Sequence, residues 1–288
     1  MDKRKPDWLK VAVRTSDVPV VQRVDEVVER QGLATVCRSA RCPNLPTCWG
    51  SGTATFMILG EVCTRSCRFC AVDHGRPAAP DPTEPERLAQ AVTELGLRYV
   101  VLTSVDRDDL PDGGAAHYAA VVRAVRKAGH GVVVEALIPD FGGDRDALAT
   151  VVAAQPHIVG HNLETVRRLT PSVRDRRAGY DLSLSVLRLT KELHPHLWTK
   201  SSLLLGLGET EEEVRAALAD LRAAGVDVVV VGQYLRPTTR QLPVVRHVPP
   251  EEFRHWEEIA RELGFPAVVS APLARTSFRA AEIYAMLR

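Results

Sequence analysis

Six cysteines, all of those in the 288 residues, crowd into one short stretch as two triplets. The first is Cys37-x4-Cys42-x5-Cys48 and the second is Cys63-x3-Cys67-x2-Cys70. Thiolates are soft donors suited to iron–sulfur clusters, zinc or copper(I). A four-iron cubane takes four ligands, so three thiolates leave one iron open, and an open position is where a substrate or cofactor coordinates. Ferredoxin runs supply the full set instead. Two other chemistries stay open at the second triplet. Zinc on three thiolates plus His74, four residues past Cys70, is one; a redox pair at Cys67 and Cys70 is the other. The first triplet lacks the Cys-x2-Cys knuckle that structural zinc sites favour. Three disulfides would suit a secreted mini-protein, but a chain this long needs no staples.

An α/β pattern must position these residues. Short apolar runs at 55–59, 99–104, 132–138, 157–160, 200–205 and 227–234 predict strands. They are rich in Val, Ile and Leu without clean alternation, as in parallel strands buried on both faces. Helical patterns fall between them at 84–95, 115–127, 144–154, 165–169, 182–193 and 211–223. Thr210 and Glu213 form a capping-box signal for the last of these, and Gly225 its stop. Six such units imply a parallel sheet with right-handed crossovers. Periodicity does not decide between an open sheet and a partial barrel. The second triplet follows the first strand, at the strand end where parallel α/β folds bind ligands.

Upstream, residues 19–31 predict an amphipathic helix with Val20, Val21, Val24, Val27 and Val28 on one face. The loop 37–48 has little apolar content, so metal would have to order it. The tail predicts a helix at 250–263, an apolar segment at 267–270 and a helix at 278–287. The expected division is an N-terminal extension 1–53, a core 54–245 and a C-terminal extension 246–288.

Composition sets bounds. Apolar residues make up 45% and charged residues 25%, ordinary for a globular protein. A net charge of +1 gives no bulk attraction to nucleic acid or membrane. No apolar run approaches the roughly 20 residues that span a bilayer. Met1 to Trp8 has no apolar segment after its charges, unlike a secretory signal, so a cytoplasmic location is expected.

Further candidates sit near strand ends. Thr103, Ser104 and Asp106 follow the second strand. Gly113 and Gly114 permit close backbone approach to a ligand. Glu135 lies on the third strand and Asn162 after the fourth. Each reads equally as a cap, a turn former or a satisfied core polar group. Lys200 opens the fifth strand and Arg236 follows the sixth; each is either a ligand contact or a solvated end charge. Arg167, Arg168, Arg174, Arg176 and Arg177 form a basic patch, which reads as a solvated surface or a docking face. Ser277 alone reads as an N-cap of the last helix.

The second triplet resembles the hallmark of the radical S-adenosylmethionine superfamily. Together with the first it makes the chain similar to the lipoyl synthase family. The match continues through Thr103-Ser-Val-Asp-Arg-Asp-Asp-Leu110, Asp112-Gly-Gly114, His161-Asn-Leu-Glu-Thr-Val166, Leu205-Gly-Leu-Gly-Glu-Thr210 and Gly232-Gln-Tyr-Leu-Arg-Pro-Thr238. The double triplet is its specific part; the glycine motifs alone are weak. The resemblance implies a partial (β/α)6 barrel of the TIM type with extensions at both ends. It implies a 4Fe-4S cluster on Cys63, Cys67 and Cys70 whose free iron chelates S-adenosylmethionine. It implies an auxiliary 4Fe-4S cluster on Cys37, Cys42 and Cys48, with a serine from an Arg-Ser-Ser-Tyr motif. This chain has Arg275-Thr276-Ser277-Phe278, so the ligand serine is kept as Ser277, while the first Ser is Thr and the Tyr is Phe.

The implied activity is insertion of two sulfur atoms at C6 and C8 of an octanoyl group on a carrier lysine, using two S-adenosylmethionine and auxiliary-cluster sulfur. Such unactivated C–H bonds need cofactor-borne radical chemistry. Implied partners are octanoylated carrier domains of the glycine cleavage H protein or 2-oxoacid dehydrogenase E2 type, and a ferredoxin or flavodoxin-type electron donor. An acidic carrier would then dock on the basic patch around Arg174 and Arg176. A biotin synthase-like sulfur inserter would leave the first triplet and residues 275–278 unexplained. A non-enzymatic metal or electron-transfer protein would predict zinc or full thiolate ligation.

Overall fold

A computed structural model describes residues 5–11, 17–128 and 131–287. Ten strands form: β1 (Ala34–Thr35), β2 (Thr53–Ile58), β3 (Val62–Cys63), β4 (Asp73–His74), β5 (Tyr99–Ser104), β6 (Val133–Leu137), β7 (Ile158–Gly160), β8 (Trp198–Leu205), β9 (Val228–Gln233) and β10 (Ala267–Ala271). Among the described residues eleven α-helices accompany them: α1 (Val18–Arg30), α2 (Val36–Ser39), α3 (Leu45–Gly50), α4 (Glu84–Glu94), α5 (Ala115–Ala128), α6 (Arg145–Val152), α7 (Thr170–Val173), α8 (Tyr180–Leu193), α9 (Glu211–Ala223), α10 (Pro250–Glu262) and α11 (Ala280–Met286).

The main sheet runs β1-β2-β5-β6-β7-β8-β9-β10, while β3 and β4 pair separately. Only β1 joins the main sheet antiparallel. From β2 onward, each strand's neighbour in space is the next main-sheet strand in sequence, with no reversal of order. A doubly wound sheet has a switch point where the order turns back, and a barrel has none. The topology is therefore that of a partial barrel, the point periodicity left open.

The core strands are buried on both faces, as expected, and the two faces meet different partners. On β5, Val100 and Leu102 pack outward with Leu88 and Val92 of α4 and Tyr118 and Val122 of α5. Tyr99 and Val101 face a separate cluster with Ile158 and Ala280. That cluster lies on the barrel's inner side, and α11 packs one face against it while Glu282, Ala285 and Met286 stay exposed. Ala280, Ala281 and Tyr284 pack on Tyr99, Val133, Leu137, Ile158 and Trp198. The Tyr284 ring meets Tyr99 edge-on at 6.3 Å and His157 at 5.9 Å. The chain entering α11 passes so close to β9 that a Cβ on Gly232 would collide with the Ala274 carbonyl.

Several expectations are corrected. Residues 165–169 form no helix; Glu164 bridges to Leu203 with a left-handed φ of 68°. A short helix starts instead at Thr170, where Pro171 supplies a preset first turn. The fifth core strand begins at Trp198, two residues before Lys200. The last helix begins at Ala280 because Arg279 is left-handed, φ 54°, so Ser277 is not its N-cap. The 37–48 loop contains two short helices, α2 and α3. The capping box of Thr210 and Glu213 is present in full.

Candidate functional site

A cavity of about 570 Å³ opens at the C-terminal ends of the strands, and all six cysteines line it. So do Thr103, Ser104, Asp106, Asn162, Arg236 and Ser277. Three chain segments that are distant in sequence thus meet: the 37–48 loop, the 63–70 loop and residues 274–278. Two side-chain contacts tie the tail segment to the first cysteine loop and to the segment after β7. Asn44 Nδ2 donates to the Leu273 carbonyl at 2.6 Å. Asn162 Nδ2 donates to Thr276 Oγ1 at 3.1 Å.

The thiols are free and several are already hydrogen-bonded through sulfur. Cys63 Sγ accepts the backbone N–H of Arg65 at 3.4 Å and of Asp106 at 3.3 Å. Cys67 Sγ accepts from Asp175 N at 3.3 Å and Cys70 Sγ from Val72 N at 3.5 Å. Such bonds favour sulfur that carries negative charge. Burial outweighs them and pushes Cys37, Cys63, Cys67 and Cys70 up to about 11 and Cys48 to about 12. These five thiols are therefore neutral near pH 7 until a positive centre deprotonates them on binding. Among the described residues no three His, Cys, Asp or Glu side chains close around a single ion. His74 is exposed, on the edge ladder beside Cys63. The sulfurs surround a volume and not a point. Buried soft donors around a volume, with N–H groups aimed at sulfur, fit multi-atom iron–sulfur clusters.

Arg65, inside the second triplet, pins that loop. It is 4% exposed and reaches Asp108 at 2.7 Å and Asp140 at 2.6 Å. Burial works against Asp140 ionising, but the bonds from Arg65 win and hold it below the usual carboxylate range. Asp106, 3.4 Å from Arg65, is pushed up to about 6 by burial, against the pull of Arg65. Ser66 N donates to Asp175 at 2.9 Å, and Thr64 Oγ1 donates to the Asp106 carbonyl at 2.9 Å. The cysteine loop is thereby held by the ends of β5 and β6 and by the segment after α7.

Three other cavity residues lie in the quoted motifs but carried no role in the sequence reading. Glu164 lines the cavity; burial raises its carboxyl, while Arg174, Asn162 and Arg275 pull the other way. Arg275 is lowered by burial, and Cys42 and Glu164 act against that. His161 is bonded to the Ile138 carbonyl and Ser183 Oγ, each at 2.9 Å. Burial and then Arg174 lower it to about 4, so it is neutral. The left-handed backbone of Glu164 is the kind of outlier that concentrates at functional sites, but no residue type announces it in advance.

Four candidates lie elsewhere. Glu135 and Lys200 are fully buried and pair at 2.9 Å, and Tyr99 donates to Glu135. This network lies on the barrel wall beneath the cavity. Gly113 and Gly114 make room for Phe141 and Leu59 and do not line the cavity. The basic patch is also corrected. Arg174 is buried, lines the cavity and donates to Ser183 Oγ at 2.7 Å. Arg167 pairs with Asp181, Arg168 with Glu213 and Arg177 with Asp175, which leaves Arg176 exposed and, among the described residues, unpaired.

Known proteins share these features. The Radical SAM superfamily matches residues 57–221. The chain is 55% identical over 285 residues to the lipoyl synthase of Thermus thermophilus, covering 99% of this chain and 88% of that one. It is 56% identical over 281 residues to the lipoyl synthase of Methanocella arvoryzae, covering 97% and 94%. Among solved structures, HydG, a maturase of the [FeFe]-hydrogenase, aligns with a TM-score of 0.61 at 13% identity over 98% of this chain and 72% of its own. Methylornithine synthase aligns with a TM-score of 0.57 at 12% identity over 90% and 79%. The structural likenesses show the fold alone. The sequence likenesses go further: the chain belongs to the lipoyl synthase family of the radical SAM superfamily.

Proposed function

We propose that this chain is a lipoyl synthase that replaces hydrogen with sulfur at C6 and C8 of an octanoyl group carried on a protein lysine. The observation behind this reading is the meeting of both cysteine triplets and Ser277 at one cavity. Cys63, Cys67 and Cys70 would hold one 4Fe-4S cluster with S-adenosylmethionine on its open iron. Cys37, Cys42, Cys48 and Ser277 would hold the auxiliary cluster. When bound, these groups supply a carbon-centred radical strong enough to take hydrogen from an unactivated C–H bond, and the sulfide that replaces it.

The protein's own residues bind, orient and exclude water. Asp106, Asn162 and Glu164, with Thr103 and Ser104, offer polar groups to the amino acid and ribose portions of S-adenosylmethionine. Met57, Leu137, Val230 and Leu235 give the acyl chain an apolar wall and keep competing water out. Arg65 and Asp140 fix the cysteine loop before anything binds. The carriers we assign are lipoyl domains of the H-protein or E2 type, with a ferredoxin or flavodoxin-type electron donor, in the cytoplasm. No helix among the described residues is long and apolar enough to cross a membrane.

The test is anaerobic incubation with an octanoylated carrier domain, S-adenosylmethionine and a reductant, followed by mass analysis of the lysine adduct. Two hydrogens exchanged for two sulfurs are expected. An unchanged octanoyl adduct, or bound zinc without inorganic sulfide, would overturn the reading.

A further inference from the structure

The 167–177 patch is neutralised except at Arg176, and a separate group of cations without carboxylate partners lies at the cavity mouth. Five lining residues are exposed: Lys5, Arg41, Ser66, His74 and Arg236. Three are permanent cations, and none of the exposed lining residues described is a carboxylate. The acids in the lining lie deeper and already face arginine. Asp106 and Asp140 are beside Arg65, and Glu164 feels Arg174 and Arg275. Arg236 meets only the backbone carbonyls of Gln241 and Thr239. Lys5 and Arg41 have no carboxylate partner among the described residues. Asp73, next to His74, lies outside the lining.

We propose that Lys5, Arg41 and Arg236 form the docking rim for the acylated protein, which presents an acidic surface around its modified lysine. This rests on the lipoyl synthase reading and specifies its partner. A substrate tethered to a folded domain must seat that domain at the cavity mouth while the tether enters. Carboxylates flanking the tether would meet the three cations as it goes in. Unpaired cations around an opening also raise the encounter rate of such a partner, an effect that salt screens.

The experiment uses the cluster-loaded enzyme and an octanoylated carrier domain with carboxylates around its lysine. Affinity is measured at low salt and at about 0.3 M salt. Arg236→Glu and Arg41→Glu are each expected to weaken binding on the order of ten-fold at low salt, with the difference closing at high salt. Arg168→Glu, on the neutralised patch, is expected to bind like the parent. Iron and sulfide are assayed in each variant. If Arg41→Glu loses iron because it neighbours Cys42, Arg236→Glu decides alone. Unchanged binding by Arg236→Glu would overturn the proposal, as would an equal loss in Arg168→Glu or a loss indifferent to salt. Product formation by the unaltered enzyme on the same carrier separates the two claims. Absent product sinks the parent reading, whereas product with undisturbed binding sinks the docking rim only.

Discussion

Arg65 lets two carboxylates sit at the edge of a buried site, and one of them, Asp140, is fully enclosed. Taking away one partner of a buried pair leaves an uncompensated charge, at a cost of about 3–5 kcal/mol. Arg65→Gln should therefore lower stability by that order in chemical denaturation near pH 7. The pH dependence has a definite sign. Asp140 is held below its ordinary value of 3.8, so its contribution is present above that pH and fades as pH falls through the lower, folded value. In the variant the enclosed carboxyl takes up a proton more readily. The gap between variant and parent should thus be widest near neutrality and narrow below about pH 4. A gap that stays constant between pH 7 and pH 3 would refute this role. The cysteines that meet at the cavity were legible in the sequence because their spacing is chemical in itself. Arg65, Asp140 and Glu164 were not, since charged residues in loops look alike until folding shows which of them share a buried space.

At the level of elements, β9 and the segment entering α11 depend on each other. Gly232→Ala would drive a methyl group into the Ala274 carbonyl and push residues 274–277 off the strand. Overpacking of this kind costs about 1–3 kcal/mol. The variant should melt lower and, after reconstitution, lose iron and sulfide from the centre near Ser277 while the other centre still responds to S-adenosylmethionine. Full metal content with unchanged spectra would count against it. The strands and most helices were readable from periodicity and caps, as at Thr210. Misplacements trace to the ends of elements. Lys200 looked like a strand-end residue, but the strand starts at Trp198 and the first end of a barrel strand points away from the ligand side. The helix expected at 165–169 yielded to a bridge between Glu164 and Leu203, a tertiary contact that local propensity does not contain.

For the whole molecule, the sequential strand order brings both cysteine loops to the same rim. If each triplet holds its own cluster, as proposed, losses should be separable. Cys42→Ala and Cys67→Ala should each retain about four of about eight irons per chain, and only Cys67→Ala should lose the spectral response to S-adenosylmethionine. If either variant lost all iron, or both lost the response, the two triplets would not be independent. The α/β class was legible in the sequence, yet barrel closure was not, because an open sheet uses the same repeating units. Nor did any pattern reveal that one face of α11 packs on the barrel's inner side: its small residues and Tyr284 suit an ordinary surface helix equally well.

The burial of α11 sets an order of assembly. During translation both cysteine loops leave the ribosome well before the stretch that carries Ser277. Until that stretch threads into the barrel, six reduced sulfurs stand over an unfilled hollow, open to oxidants and stray metal ions. With Ser277 as the proposed fourth donor, iron delivered to the first triplet before threading would find that donor missing, whereas delivery afterward would meet a finished corner.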